Sequence, residues 1–129
     1  MAGVTTEIRG IEGQSVAWIT VDRPEKMNAL NSALIAKLTS AIEGLMDNGD
    51  LRAVVLTGKG EKAFIGGADI SEMADLTPET AETFITGLHG ASAALRRLPV
   101  PVVARIQGYC LGGGMEVAAA CDMRIASES

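Results

Sequence analysis

Cysteine is scarce in this chain. Cys110 and Cys121 are the only two and have no Cys-x-x-Cys spacing. That excludes a disulfide scaffold and, with His89 as the lone histidine, a zinc site, so no metal is expected. Aromatic residues make up only 3% of the chain, which leaves the core to aliphatic side chains. Basic residues are outnumbered 11 to 16, for a net charge of −5. A broad basic face for nucleic acid or an anionic membrane is therefore excluded, although a few local lysines can still hold an anionic ligand. No apolar run approaches the ~18 residues of a membrane span. The N-terminal stretch MAGVTTEIRG has neither an apolar signal core nor an Arg/Ser-rich transit pattern, so a cytoplasmic protein is expected.

What the chain has in quantity is apolar residues (47%) and glycine (15 of 129 residues), enough for one domain over 1–129 with a substantial core. Residues 5–8 and 16–21 read as a hairpin around 10–13, ended by Pro24. Leu34, Leu38, Ala41, Ile42 and Leu45 have helical spacing within 31–48, with Gly49 as the stop. The run 53–57 suits a strand buried on both faces. Asp69 and Glu72 have capping-box spacing for a short helix, and Thr77-Pro78 starts a longer one with an apolar stripe from Ala81 through Phe84, Ile85, Leu88, Ala91 and Leu95 to Leu98. Pro99 and Pro101 end it. A strand over 102–106, a glycine loop over 108–114, a small-residue helix over 115–121 and a strand over 123–126 complete the reading.

This strand–loop–helix order repeats. Val16, Val54 and Val102 open strands 38 and 48 residues apart, and the last two units run into Gly66-Gly67-Ala68-Asp69 and Gly112-Gly113-Gly114-Met115-Glu116. Stacked supersecondary units are favoured over plain doubly wound alternation. Each glycine loop feeds a helix N-terminus, where backbone N–H groups lack partners and the dipole favours negative charge. Two such termini sharing one space have the layout of an oxyanion hole; the competing reading is tight turns and close helix packing alone. Glu116 follows the triple glycine in an apolar stretch. Either it is a partly desolvated carboxylate suited to acid/base work, or it is a helix-start glutamate satisfying the dipole.

Other loops are excluded. Gly58-Lys59-Gly60 lacks the rest of a phosphate loop, Gly108-Tyr109-Cys110-Leu111-Gly112 does not match the dinucleotide fingerprint, and no nucleophile elbow exists.

Four ordered blocks remain: Val21-Asp22-Arg23-Pro24 with Met27-Asn28-Ala29-Leu30; Val54-Val55-Leu56-Thr57-Gly58; Lys62-Ala63-Phe64-Ile65-Gly66-Gly67-Ala68-Asp69-Ile70; and the stretch 107–122 around Gly112-Gly113-Gly114-Met115-Glu116. In these the chain resembles the N-terminal half of the crotonase superfamily of enoyl-CoA hydratases and isomerases. The resemblance implies an α/β spiral of ββα repeats, truncated before the family's C-terminal helices. It also implies an acyl-CoA thioester substrate, no separate cofactor because coenzyme A is part of that substrate, and a homotrimer or dimer of trimers at full length. Carried onto this chain, it makes the N–H groups of Ala68 and Gly113 the oxyanion donors and Glu116 one of two catalytic acids, the other expected beyond Ser129. Lys26, Met27, Gly66, Ala68, Asp69 and Ile70 become the coenzyme A contacts, with Lys59 a further phosphate candidate. Hydration of a 2-enoyl-CoA is the reaction implied. Isomerisation, thioester hydrolysis and a non-catalytic CoA-binding or assembly form are the alternatives.

Overall fold

The computed structural model describes residues 3–11 and 13–127. A hairpin of β1 (Gly3–Ile11) and β2 (Gln14–Asp22) opens the chain. Its strands are longer than the sequence suggests: pairing runs from Gly3↔Asp22 to Ile11↔Gln14, so Gly10 sits in the ladder rather than in the turn. A side chain at Gly10 would strike the Gln14 carbonyl, which is why glycine stands there. Glu12, within the anticipated turn, lies outside the described residues.

Three further strands join β2 in parallel, in the order β1-β2-β3-β5-β7, with β3 at Leu51–Gly58, β5 at Val102–Ile106 and β7 at Met123–Ala126. The rows are in register, Ala17 beside Val54 beside Val102 and Ile19 beside Leu56 beside Ala104, and all six are fully buried. They share one core with Phe64 and with the apolar stripes of α1 (Ser32–Glu43) and α3 (Pro78–Arg97). Full burial of an aliphatic or aromatic side chain of this size contributes about 1.5–3 kcal/mol. On the opposite face of β3, Ala53 and Val55 are only half-buried although Leu51 and Thr57 at either end are buried, so the middle of the strand is fully enclosed on one face only.

The helix starts follow their sequence signals. Asn31 accepts from Leu34 N–H at the start of α1, and Thr77 forms a capping box with Thr80 ahead of Pro78 at the start of α3. Gly44, not Gly49, ends α1. Turns beyond it keep Leu45 buried, which produced the longer helical pattern in the sequence.

Two short strands invisible to periodicity, β4 (Ala63–Ile65) and β6 (Tyr109–Cys110), pair in parallel as a second small sheet. A single parallel bridge, Leu30↔Ala68, extends the same principle to the preceding turn. The chain is thus a winding of ββα units. The first contributes the β1/β2 hairpin to the large sheet and each later one a single strand, followed by a short second element and then a helix, with α2 (Ile70–Met73) ahead of α3 and α4 (Gly113–Ala120) closing the third unit. No helix among the described residues is long and apolar enough to cross a membrane.

Candidate active site

The two glycine loops meet because each follows one strand of the β4/β6 pair. Leu111 N–H donates to Ile65 carbonyl at 3.3 Å, and a Cβ on Gly67 would lie 3.5 Å from the Leu111 carbonyl. Gly114 is pressed against β4, where a Cβ would stand 2.2 Å from the Ile65 carbonyl oxygen. Only glycine permits α4 to begin so close to this strand.

Around Ala68 the bridge geometry decides which donor is left over. Leu30 N–H donates to Gly67 carbonyl and Asp69 N–H to Leu30 carbonyl, both at 2.8 Å. In a parallel pairing the residue between those two bonds directs its own N–H away from the partner. Ala68 N–H accordingly donates to nothing among the described residues. Gly113 opens α4, where an N–H has no intrahelical acceptor, and it too donates to nothing among the described residues. Gly112, at φ 49°, turns the chain into that helix without a side-chain cap.

The first loop is braced by polar groups that the sequence reading missed. Asn28 is 1% exposed, accepts from Arg23 N–H at 2.8 Å, and donates to the carbonyls of Lys59 at 3.1 Å and Ala63 at 2.9 Å. It and Met27 both have positive φ (55° and 57°), a conformation asparagine tolerates better than most residues. Asp69 caps α2 through Ser71 and Glu72 N–H and pairs with Arg23 at 2.6 Å. The hydrogen-bonded Arg23 guanidinium holds the Asp69 carboxyl below the usual carboxylate range, helped by the two cap bonds and opposed by burial. The expected capping box at this helix is only half formed: the Glu72 carboxylate accepts instead from Ser32 N–H and Oγ–H, tying α2 to α1.

Lys26, Met27, Gly66, Ala68, Asp69 and Ile70 all line one cavity of about 280 Å³, joined by Ala29 and Ser71. Lys59 lies apart from them in a neighbouring cavity of about 260 Å³ that shares Met27 and includes Lys62. Asp69 has its carboxylate committed to Arg23 and the helix cap. Ile70 is 84% exposed and presents apolar surface at the rim.

Glu116 stands in the first turn of α4, but its apolar sequence neighbours do not enclose it. Its side chain is 36% exposed, and its Oε1 lies 3.2 Å from His89 Nε2 on α3. Met115 points outward, 61% exposed, because the buried face of α4 is made by Gly114, Val117, Ala118 and Ala120. The cysteines are inert by position: burial pushes the Cys121 thiol up to about 12, with Asp122 adding to the effect, and burial also raises Cys110. Both stay protonated at neutral pH.

A winding of ββα units whose successive glycine loops converge, each leaving one backbone donor unpaired, defines a crotonase-type α/β scaffold. The sequence profile of the enoyl-CoA hydratase/isomerase family matches residues 11–129, and the chain belongs to that family. It is 42% identical over 117 residues to the short-chain-enoyl-CoA hydratase of Clostridium acetobutylicum, spanning 88% of this chain and 44% of that protein. It is 40% identical over 114 residues to the (E)-benzylidenesuccinyl-CoA hydratase of Thauera aromatica, spanning 87% and 43%. Among solved structures, an enoyl-CoA hydratase from Bacillus anthracis superposes with a TM-score of 0.91 at 35% identity, covering 98% of this chain and 48% of that one. The chain spans a little under half the length of the relatives it matches.

Proposed function

We propose that this chain supplies the coenzyme A side, the oxyanion hole and one acid of an enoyl-CoA hydratase. The observation that carries the reading is the pair of unpaired backbone donors, Ala68 N–H and Gly113 N–H, at the ends of adjoining loops. A thioester carbonyl oxygen held by both gains negative charge as water adds to the β-carbon and the acyl group passes through an enolate. Donors fixed before the reaction stabilise that charge without reorganising, and removing one such donor costs about 3 kcal/mol of barrier. The Glu116 carboxylate, in the helix turn that Gly113 opens, takes the proton of the attacking water. The cavity lined by Lys26, Met27, Gly66, Ala68, Asp69 and Ile70 receives the pantetheine and adenine portion, and Lys26 in it and Lys59 in the neighbouring cavity are the groups that would meet the phosphates. Relatives named as hydratases of a short-chain enoyl-CoA and of benzylidenesuccinyl-CoA support water addition as the reaction, while differing in the acyl group.

The test is incubation of this chain, and of a C-terminally extended form that carries the second acid, with a panel of 2-enoyl-CoA thioesters, followed by mass spectrometry. Gain of one water is the expected change. Glu116→Gln is expected to lower that rate by about a hundredfold or more while thioester binding persists. Release of free coenzyme A, or migration of the double bond with no change of mass, would replace hydration with hydrolysis or isomerisation.

A further inference from the structure

His89 is the single histidine of the chain, and the chemistry described above gives it no task. It sits in the middle of α3, 65% exposed, with Nε2 3.2 Å from Glu116 Oε1. The approach is built into the packing of the two helices. The residue before it, Leu88, is buried and reaches the first turn of α4 so closely that a Cβ on Gly113 would lie 3.3 Å from Leu88 Cδ2. Leu88 therefore fixes the spacing between α3 and the start of α4, and His89, next along the helix, is delivered to Glu116. No other charged side chain among the described residues pairs with either group.

We propose that His89 is a positioning residue for Glu116. This rests on the hydratase reading above. The contact is an ion-pair approach at 3.2 Å rather than a formed hydrogen bond: a ring carrying its proton on Nε2 presents positive charge to the ionised carboxylate, most strongly when the imidazole is charged. Oε1 is then engaged by the ring, and Oε2 has no partner among the described residues. One oxygen of the carboxylate anchors the side chain and the other is left to take the proton of water. A glutamate has three side-chain torsions. In the exposed environment seen here the ring narrows the orientations Glu116 samples, so more of the enzyme–substrate complexes are ready to react. The contact acts on the proton-accepting group and not on the coenzyme A cavity. Its loss should appear in kcat and leave KM nearly unchanged.

The experiment compares His89→Leu, which removes the ring nitrogens, with His89→Gln, whose amide N–H reaches about as far as Nε2. Each is made in the wild-type and Glu116→Gln backgrounds and assayed on the 2-enoyl-CoA the protein hydrates best. His89→Leu is expected to lower kcat about tenfold with KM changed less than about twofold, His89→Gln to recover most of the loss, and His89→Leu to add nothing once Glu116 is glutamine. In parallel, the Cε1–H resonance of the only imidazole is expected to move in the Glu116→Gln protein, a readout independent of turnover. An active wild-type protein with unchanged kcat in His89→Leu overturns the positioning role alone, as does an equal fold-loss in both backgrounds. A resonance indifferent to Glu116→Gln overturns the pairing. An extended wild-type protein carrying the second acid that hydrates no enoyl-CoA while the resonance still responds overturns the hydratase reading, and the positioning role falls with it.

Discussion

The loop over 66–69 is tied to earlier chain at nearly every residue. Gly66 N–H bonds Met27, Gly67 carbonyl and Asp69 N–H bond Leu30, and the Asp69 side chain pairs with Arg23. Behind it, Asn28 joins three separate backbone groups in a site with almost no solvent. The loop over 112–116 has the same place in the next ββα unit and is held differently. Its polar ties are few: Gly114 and Glu116 N–H bond the Leu111 and Gly112 carbonyls within the same turn, and the Glu116 side chain meets His89. Its position depends on the fit of Gly114 against Ile65, and its rim residues Leu111 and Met115 are more than half exposed. The first loop is organised by a buried polar network, the second by steric contact with the first. A loop of the former kind keeps its geometry whatever lies outside it, whereas the latter follows any movement of β4.

The largest effect should come from the network. Asn28→Ala leaves the Lys59 and Ala63 carbonyls and Arg23 N–H without partners. At about 1–3 kcal/mol for each buried unsatisfied group, and with some relief by water, a loss of about 3–5 kcal/mol is expected in urea unfolding. Next is Gly114→Ala. The added methyl meets backbone rather than a side chain that could turn aside, so α4 must shift, at an expected cost of about 2–3 kcal/mol. If the contrast between the loops is right, amide exchange should quicken around both loops in the asparagine variant but only around 111–120 in the glycine variant. Equal spread in both would dissolve the distinction.

The smallest of the three effects concerns pH. Because Arg23 depresses the Asp69 carboxyl, the pair contributes stability above the ordinary aspartate value of about 4, and this is lost as pH falls through the lower folded-state value. Asp69→Asn keeps an oxygen for the helix cap but not the ion pair. It is therefore expected to lower Tm at pH 7, and the gap to wild type should close on acidification below about pH 4. A gap that stays constant in calorimetry from pH 7 to pH 3 would remove the ion pair from the account of this loop.

How much of this could be read in the sequence followed from the length and punctuation of each element. β5 and the start of α3 stand where prolines and a pair of valines put them, and the ββα repeat shows in the spacing of Val16, Val54 and Val102. β4 and β6, at three and two residues, are too short to carry a period-two signal, so the second sheet was hidden even though both glycine loops hang from it. All six expected coenzyme A contacts line one cavity because they flank a single bridge between consecutive turns. Asn28 carries no sign of burial in the sequence, because a polar residue in a loop is ordinarily solvated; the one clue is an asparagine, which tolerates positive φ, shortly after the Pro24 turn. Of the two readings the sequence leaves open for Glu116, its 36% exposure and first-turn place favour the helix-start carboxylate over a desolvated one. Its neighbours in sequence are apolar, but a helix turns them to other faces, and its actual neighbour, His89, is 27 residues away in sequence.

The parallel bridge between Leu30 and Ala68 also bears on the order in which the molecule assembles. Winding units can form as the chain emerges, because each lays its strand on the one before it. The anchor that orients Ala68, however, lies at Leu30, in the unit already made, and Leu30 is itself buried under the finished core. The geometry of the later loop is thus inherited from the earlier turn. A folding error in the first thirty residues would surface as a misdirected amide in the second unit, far along the chain from where it arose.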